Sequence, residues 1–157
     1  MKGEIFMGNG FFTVCGIVEI NGKVLLVRHT YGIAKNRILC PGGYVEEKEL
    51  PTCAIEREFL EETGVVVKAK SLLSMQFKSN QWCAIFDCEY VSGEPRSDYY
   101  ENSEVLLLSP QEAINREDIT NMSRELLKIY VNNKDHALQR NTYIPKSSTV
   151  ADYVLFG

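Results

Sequence analysis

The chain has no apolar run long enough for a bilayer, which needs about 20 residues, and no long apolar stretch behind Lys2. A spanning helix and a secretory leader are therefore not expected, and the expected location is the cytoplasm. Cys-x-x-Cys pairs are also missing. The five cysteines, Cys15, Cys40, Cys53, Cys83 and Cys88, are odd in number and sit mostly in apolar runs, so they read as reduced core residues. Cys15, inside an apolar strand, reads as a small core residue and not as a nucleophile. Histidine is scarce: His29 and His136 belong to no spaced metal motif, which favours structural or surface roles. Positive charge is in deficit as well. A net charge of −4 and a pI near 5.3 argue against a generally basic nucleic-acid surface. Repeats and low-complexity tracts are absent.

What is present is ordinary globular material. The 157 residues, 45% hydrophobic and 24% charged, fit one core. The expected organisation is a domain over residues 1–131 and a C-terminal extension over 132–157. That extension is a polar tail ending in Tyr153–Phe156, packed on the domain or at an interface.

Residues 11–20 and 23–29 are β-rich, and Asn21-Gly22 between them is a strong hairpin signal because both residues tolerate positive φ. A short strand is expected over 37–40. Pro41-Gly42-Gly43 is expected to break regular structure and to leave backbone carbonyls open to a cation. Further strands are expected over 65–78 and 82–91, around a turn at Ser79-Asn80, and over 104–108. Ser109-Pro110 opens a helix to about Arg116, and a second helix begins at Asn121 with Met122, Leu126, Leu127, Ile129 and Tyr130 on its apolar side.

Residues 43–65 are the most informative stretch. Pro51 suits a first helical position, Ala54, Ile55 and Phe59 recur at helical spacing, and Gly64 suits a left-handed C-cap. On that helix Glu58, Glu61 and Glu62 stand at i, i+3 and i+4, so their carboxylates project from one face. Such a cluster suits magnesium or manganese, which bind a few carboxylates together with waters and substrate phosphates. An exposed acidic helix is the plain alternative. Arg57 beside the cluster, the upstream glycines and Glu49 at its distance weigh against it.

Gly43, Glu49, Arg57, Glu58, Phe59, Glu61, Glu62, Gly64 and Val65 fill every fixed position of a signature that resembles the Nudix hydrolases. Two positions depart from common usage: Lys48 stands where glycine is usual, and Phe59 where an aliphatic residue is usual. The resemblance implies an α/β fold, an α/β/α sandwich with a mixed β-sheet. It also implies hydrolysis of the diphosphate linkage of a nucleoside diphosphate derivative or nucleoside triphosphate, with Mg2+ or Mn2+ as cofactor. Glu58, Glu61 and Glu62 are then the metal ligands, with the Gly43 carbonyl as a weaker one. Arg57 orients them and pairs with a carboxylate such as Glu49 or Glu61. Glu49 serves either in that pair or at the positive end of the following helix.

The general base is expected outside the helix, with Glu101 first, Glu104 second, and Glu46 or Glu47 third. Tyr31, Phe77 and Trp82 either stack on a base or pack in the core, and Arg28 is available to a phosphate. The expected partner is a small nucleoside diphosphate derivative, with no stable nucleic-acid partner and no membrane; a homodimer is compatible. Two other functions stay open at this point. One is a catalytically weak nucleotide-binding regulatory module, and the other is an interaction protein that binds no nucleotide.

Overall fold

A computed structural model describes residues 10–157. The first nine residues, with Lys2 and the start of the expected domain, lie outside the described residues. In chain order the elements are β1 (Phe12–Ile20), β2 (Lys23–His29), β3 (Ile38–Leu39), β4 (Gly42–Tyr44), α1 (Pro51–Thr63), β5 (Val66–Lys78) and β6 (Gln81–Ser92). Then come β7 (Asn102–Leu108), α2 (Pro110–Ile114), α3 (Asn121–Asn133), a 3-10 turn (Lys134–His136) and β8 (Leu138–Gln139).

Asn21 and Gly22 take φ of 51° and 78° and close the β1–β2 hairpin, as their residue types require. The sheet runs β3-β2-β1-β6-β5-β8, with β4 also on β1 and β7 also on β2. β1 and β6 are parallel from Phe12/Trp82 to Val18/Cys88, whereas the other pairings are antiparallel, so the sheet is mixed.

Alternate strand residues face opposite ways, and here both faces are covered. Val14, Val18, Leu25, Val27 and Phe86 pack under α1 with Ala54, Ile55 and Phe59. Ile17, Val24, Leu26 and Ile85 pack under α3 with Leu126, Leu127 and Tyr130. This explains the unbroken apolar run Val24–Val27: neighbouring residues serve different cores. The result is an α/β/α sandwich.

Two expectations are corrected. Pro41-Gly42-Gly43 does not interrupt the sheet, because Gly42–Tyr44 forms β4 against Thr13–Cys15 of β1. A Cβ at Gly42 would lie 2.1 Å from the Val14 carbonyl oxygen, so glycine serves close strand approach here. The cysteines are free, but they are not uniformly core: Cys53 is exposed on the outer side of α1. The polar stretch after α3, expected to pack on the domain or at an interface, carries regular pairing at the sheet edge. β8 joins the edge of β5 through Leu72↔Leu138 and Ser71↔Gln139, Arg140 Nη2 donates to the Ala69 carbonyl (2.9 Å), and Phe156 packs on Phe86 with ring centres 5.8 Å apart. No helix among the described residues is long and apolar enough to cross a membrane.

Candidate functional site

Helix α1 starts with Pro51 after an extended Leu50 and stops at Gly64, whose φ of 71° is left-handed and whose N–H donates to the Leu60 carbonyl. Its Ile55 and Phe59 are fully buried, which fixes its rotation on the sheet. That rotation turns Glu58 and Glu62 inward, 8% and 3% exposed. Glu61 lies a further ~100° round the helix from Glu62, and its side chain is 60% exposed.

The third carboxylate at the centre comes from elsewhere in the chain. One oxygen each from Glu58, Glu62 and Glu101 lie within 4.8 Å of one another. Glu101 precedes β7, so the loop leading into that strand delivers it to the helix. Glu104 is not delivered there: it faces Arg28, whose Nε donates to Glu104 Oε2 at 2.8 Å, while Arg28 Nη1 reaches Asp118 at 3.0 Å. Arg28, expected to be available to a phosphate, is thus engaged by two carboxylates.

Arg57 spends its donors on the surrounding acids. Nε and Nη2 donate to the two oxygens of Glu49 at 2.8 and 3.0 Å, a forked pair. Nη1 donates to Glu58 at 2.9 Å and to Glu61 at 3.2 Å, and Nη2 also donates to the Tyr44 carbonyl at 3.0 Å. Hydrogen bonding to Arg57 holds the Glu49 carboxyl below its ordinary range. Glu49 also accepts from the Glu46 N–H at 2.9 Å, tying the loop ahead of α1 to this pair. In that loop Lys48 takes φ of 62°, the left-handed conformation that glycine adopts freely.

The remaining carboxylates carry more negative charge than Arg57 offsets. Burial, with the Glu58 and Glu101 charges, pushes the Glu62 carboxyl up to about 9. Burial also raises Glu58, although Arg57 opposes the shift. Among the described residues neither Glu62 nor Glu101 has an ion-pair partner. Three oxygen donors, of which Arg57 pairs with Glu58 alone, are the ligand chemistry a hard divalent cation takes. Gly43 belongs to this arrangement through what it lacks, since a Cβ there would stand 2.4 Å from the Glu58 carboxylate.

The carboxylates floor a cleft of about 560 Å³ whose walls include Tyr31, Ile33 and Tyr44. Tyr31 stacks on His29, with ring centres 5.1 Å apart and planes at 20°. Burial lowers the His29 pKa, against the Glu101 and Asp98 charges. His29 and Gly42 also border a smaller pocket of about 190 Å³ that includes Cys15, Cys40, Cys83 and Ser123. Phe77 and Trp82 are elsewhere, packed edge to face with each other at 5.0 Å, and Trp82 also meets Phe12 edge to face and Phe11 at a tilt. Of the aromatics expected to meet a base, only Tyr31 lines the cleft; Tyr44 was not anticipated. Its one sequence signal is its place beside Gly43 in the motif.

Comparison with known proteins agrees with the geometry. A family model described as NUDIX domain matches residues 11–129. The ADP-ribose pyrophosphatase of Methanocaldococcus jannaschii is 42% identical over 62 residues, 40% of this chain and 37% of that relative. The match thus spans little more than a third of the relative's length. Among solved structures, a NUDIX hydrolase from Nitrosomonas europaea superposes with a TM-score of 0.73 at 26% identity, covering 82% of this chain and 74% of the other. A MutT protein from Methanosarcina mazei Go1 shares the fold with a TM-score of 0.67 at 18% identity, covering 82% of this chain and 97% of the other.

Proposed function

We propose that this chain, which belongs to the Nudix family, is a divalent-cation-dependent hydrolase that splits the pyrophosphate linkage of a nucleoside diphosphate derivative or nucleoside triphosphate. The observation that carries the reading is the convergence of Glu58, Glu62 and Glu101 within 4.8 Å at the floor of an open cleft.

A magnesium or manganese ion bound there would supply neutralisation of pyrophosphate charge and a more acidic water. Glu58, Glu62 and Glu101 would hold the ion. Glu61, exposed at the rim, is available to a second ion or to water around the first, and the Gly43 carbonyl is a further candidate ligand. Arg57 fixes the Glu58 rotamer, and Glu49 fixes Arg57, so the acids do not reorganise when substrate arrives. Glu101 is also the leading candidate to take the proton of the attacking water, ahead of Glu104, whose carboxylate is engaged by Arg28. Tyr31 and Tyr44 offer flat faces to the leaving group, and the smaller, mainly apolar pocket at His29 and Gly42 also carries Gln76, Gln81 and Ser123 as polar partners for a base.

The test is turnover of a panel containing ADP-ribose, nucleoside diphosphate sugars and nucleoside triphosphates, with and without magnesium. ADP-ribose leads the panel because of the relative's activity. Magnesium-dependent release of a nucleoside monophosphate, or of pyrophosphate from a triphosphate, is expected. Tight nucleotide binding without turnover would point to a regulatory module instead, and binding to no nucleotide to an interaction protein.

A further inference from the structure

Glu58 and Glu62 share a helix, but Glu101 reaches them from a loop, and loop carboxylates do not hold position unaided. Here the loop is fastened at several points. Asp98 Oδ1 accepts from three successive backbone N–H groups, those of Tyr100 (2.9 Å), Glu101 (3.0 Å) and Asn102 (3.1 Å). Ser97 Oγ donates to the Asn102 carbonyl at 2.8 Å and accepts from the Tyr99 N–H at 2.9 Å. On the other side the Glu101 carbonyl accepts from the Thr30 N–H at 3.1 Å and from Thr30 Oγ1 at 3.1 Å. The peptide groups flanking Glu101 are therefore held on both sides.

A second fastening joins this loop to the helix. Asn102 is fully buried, and its Nδ2 donates to the Glu62 main-chain carbonyl at 2.8 Å. That carbonyl is among those at the helix end that lack an intrahelical donor. The bond thus links the residue after Glu101 to the backbone of Glu62 itself. The Asn102 Oδ1 is buried with no partner among the described residues, so the bond to Glu62 is what the amide is committed to. Nearby, the Arg96 N–H donates to the Thr63 carbonyl at 2.8 Å, drawing the start of the same loop to the same helix end.

We propose that Asp98 and Asn102 are positioning residues for the cation site: Asp98 shapes the loop that presents Glu101, and Asn102 sets that loop's distance from Glu62. The proposal rests on the reading of Glu58, Glu62 and Glu101 as a cation site. Neither residue touches substrate; both act through Glu101. The role of Asp98 is geometric, so a neutral acceptor of the same shape performs it.

The test compares wild type, Asp98→Ala, Asp98→Asn and Asn102→Ala by Mn2+ titration, with free Mn2+ followed by electron paramagnetic resonance and without substrate. Circular dichroism establishes the temperature at which each variant is folded. Asp98→Ala and Asn102→Ala are expected to raise the Mn2+ dissociation constant at least tenfold, whereas Asp98→Asn keeps it within threefold of wild type, because the amide oxygen accepts the same three N–H bonds. The Asp98 pair keeps the test open if Asn102→Ala does not fold. Wild-type affinity in Asp98→Ala overturns the proposal, as does Asp98→Asn behaving like Asp98→Ala, which would make the role one of charge. Because binding is read without turnover, a wild-type protein that binds Mn2+ yet hydrolyses nothing on the panel removes the hydrolase reading alone. Absence of Mn2+ binding removes both.

Discussion

The carboxylate of Glu58 lies against the α-carbon of Gly43, so closely that a single added methyl group would stand 2.4 Å from it. A methyl group on the neighbouring Gly42 would meet something stiffer, the Val14 carbonyl of the adjacent strand, at 2.1 Å. The two glycines therefore answer to different constraints. Gly43→Ala displaces a flexible side chain and is expected to lower kcat by at least about tenfold, or about 1.4 kcal/mol in the barrier, while the melting temperature moves little. Gly42→Ala forces β1 and β4 apart and is expected to destabilise by roughly 1–3 kcal/mol. Melting curves and steady-state rates on both variants check the contrast; equal loss of stability in the two would contradict it.

Arg57 makes five hydrogen bonds, and its forked pair with Glu49 depends on a planar guanidinium. Lysine keeps the charge and loses the fork. Arg57→Lys is thus expected to reduce activity by about 10–100-fold, the usual range for a residue that orients ligands. Titrating the variant with magnesium should show a higher half-saturating concentration. Unchanged magnesium dependence would mean that the pairing with Glu49 and Glu58 does not organise the site.

Helix α1 was legible because each end carries its own local signal, Pro51 and Gly64, and because the face buried on the sheet is written at helical spacing. The hairpin at Asn21-Gly22 was legible for the same reason. What the sequence hid are relations between distant segments. Nothing local distinguishes Glu101 from Glu104, yet one meets the helix and the other pairs with Arg28. β4 was missed because glycine reads as a breaker, when here its lack of a side chain is what lets two strands close. β8 is two residues long, too short for any period to show.

Lys48 links a sequence departure to backbone conformation. It occupies a position where glycine is usual, and its φ of 62° shows why: the chain turns through the left-handed region there. A non-glycine residue in that region costs about 1–2 kcal/mol, part of which glycine gives back through greater freedom of the unfolded chain. Lys48→Gly is therefore expected to stabilise by up to about 1 kcal/mol. Urea unfolding would detect it; a destabilised variant would show that the lysine side chain has contacts worth more than the strain.

Glu62 predicts an unusual pH dependence. Burial, with the charges of Glu58 and Glu101, raises its carboxyl from an ordinary value of 4.5 to about 9 in the folded, cation-free chain. Between those values the folded state binds more protons than the unfolded state, so stability from this group is present below pH 4.5 and falls as pH rises toward 9. Chelator-treated protein should lose melting temperature over that range, and Glu62→Gln should flatten the loss. Mn2+ should reverse it in wild type only, with protons released on binding. A Glu62→Gln profile parallel to wild type would place the titration elsewhere.

Glu101 and Glu104 are close in sequence, and their environments separate their expected effects. Glu104 is 48% exposed in its pair with Arg28, and an exposed ion pair contributes about 0–1 kcal/mol. Glu104→Gln should therefore leave turnover within about twofold of wild type and cost less than about 1 kcal/mol of stability. Glu101→Gln keeps the shape of the side chain but removes charge from the carboxylate trio. It should lower turnover by roughly two to four orders of magnitude, on the scale of a lost proton acceptor. Because its oxygen stands within 4.8 Å of those of Glu58 and Glu62, it should also weaken Mn2+ binding. The two roles of Glu101 come apart in this measurement. Turnover lost at intact Mn2+ affinity assigns Glu101 to the proton alone, and turnover restored by high Mn2+ assigns it to the cation alone. Near-normal turnover at all Mn2+ concentrations would remove Glu101 from the reaction and leave Glu46, which also borders the cleft, as the next carboxylate to replace.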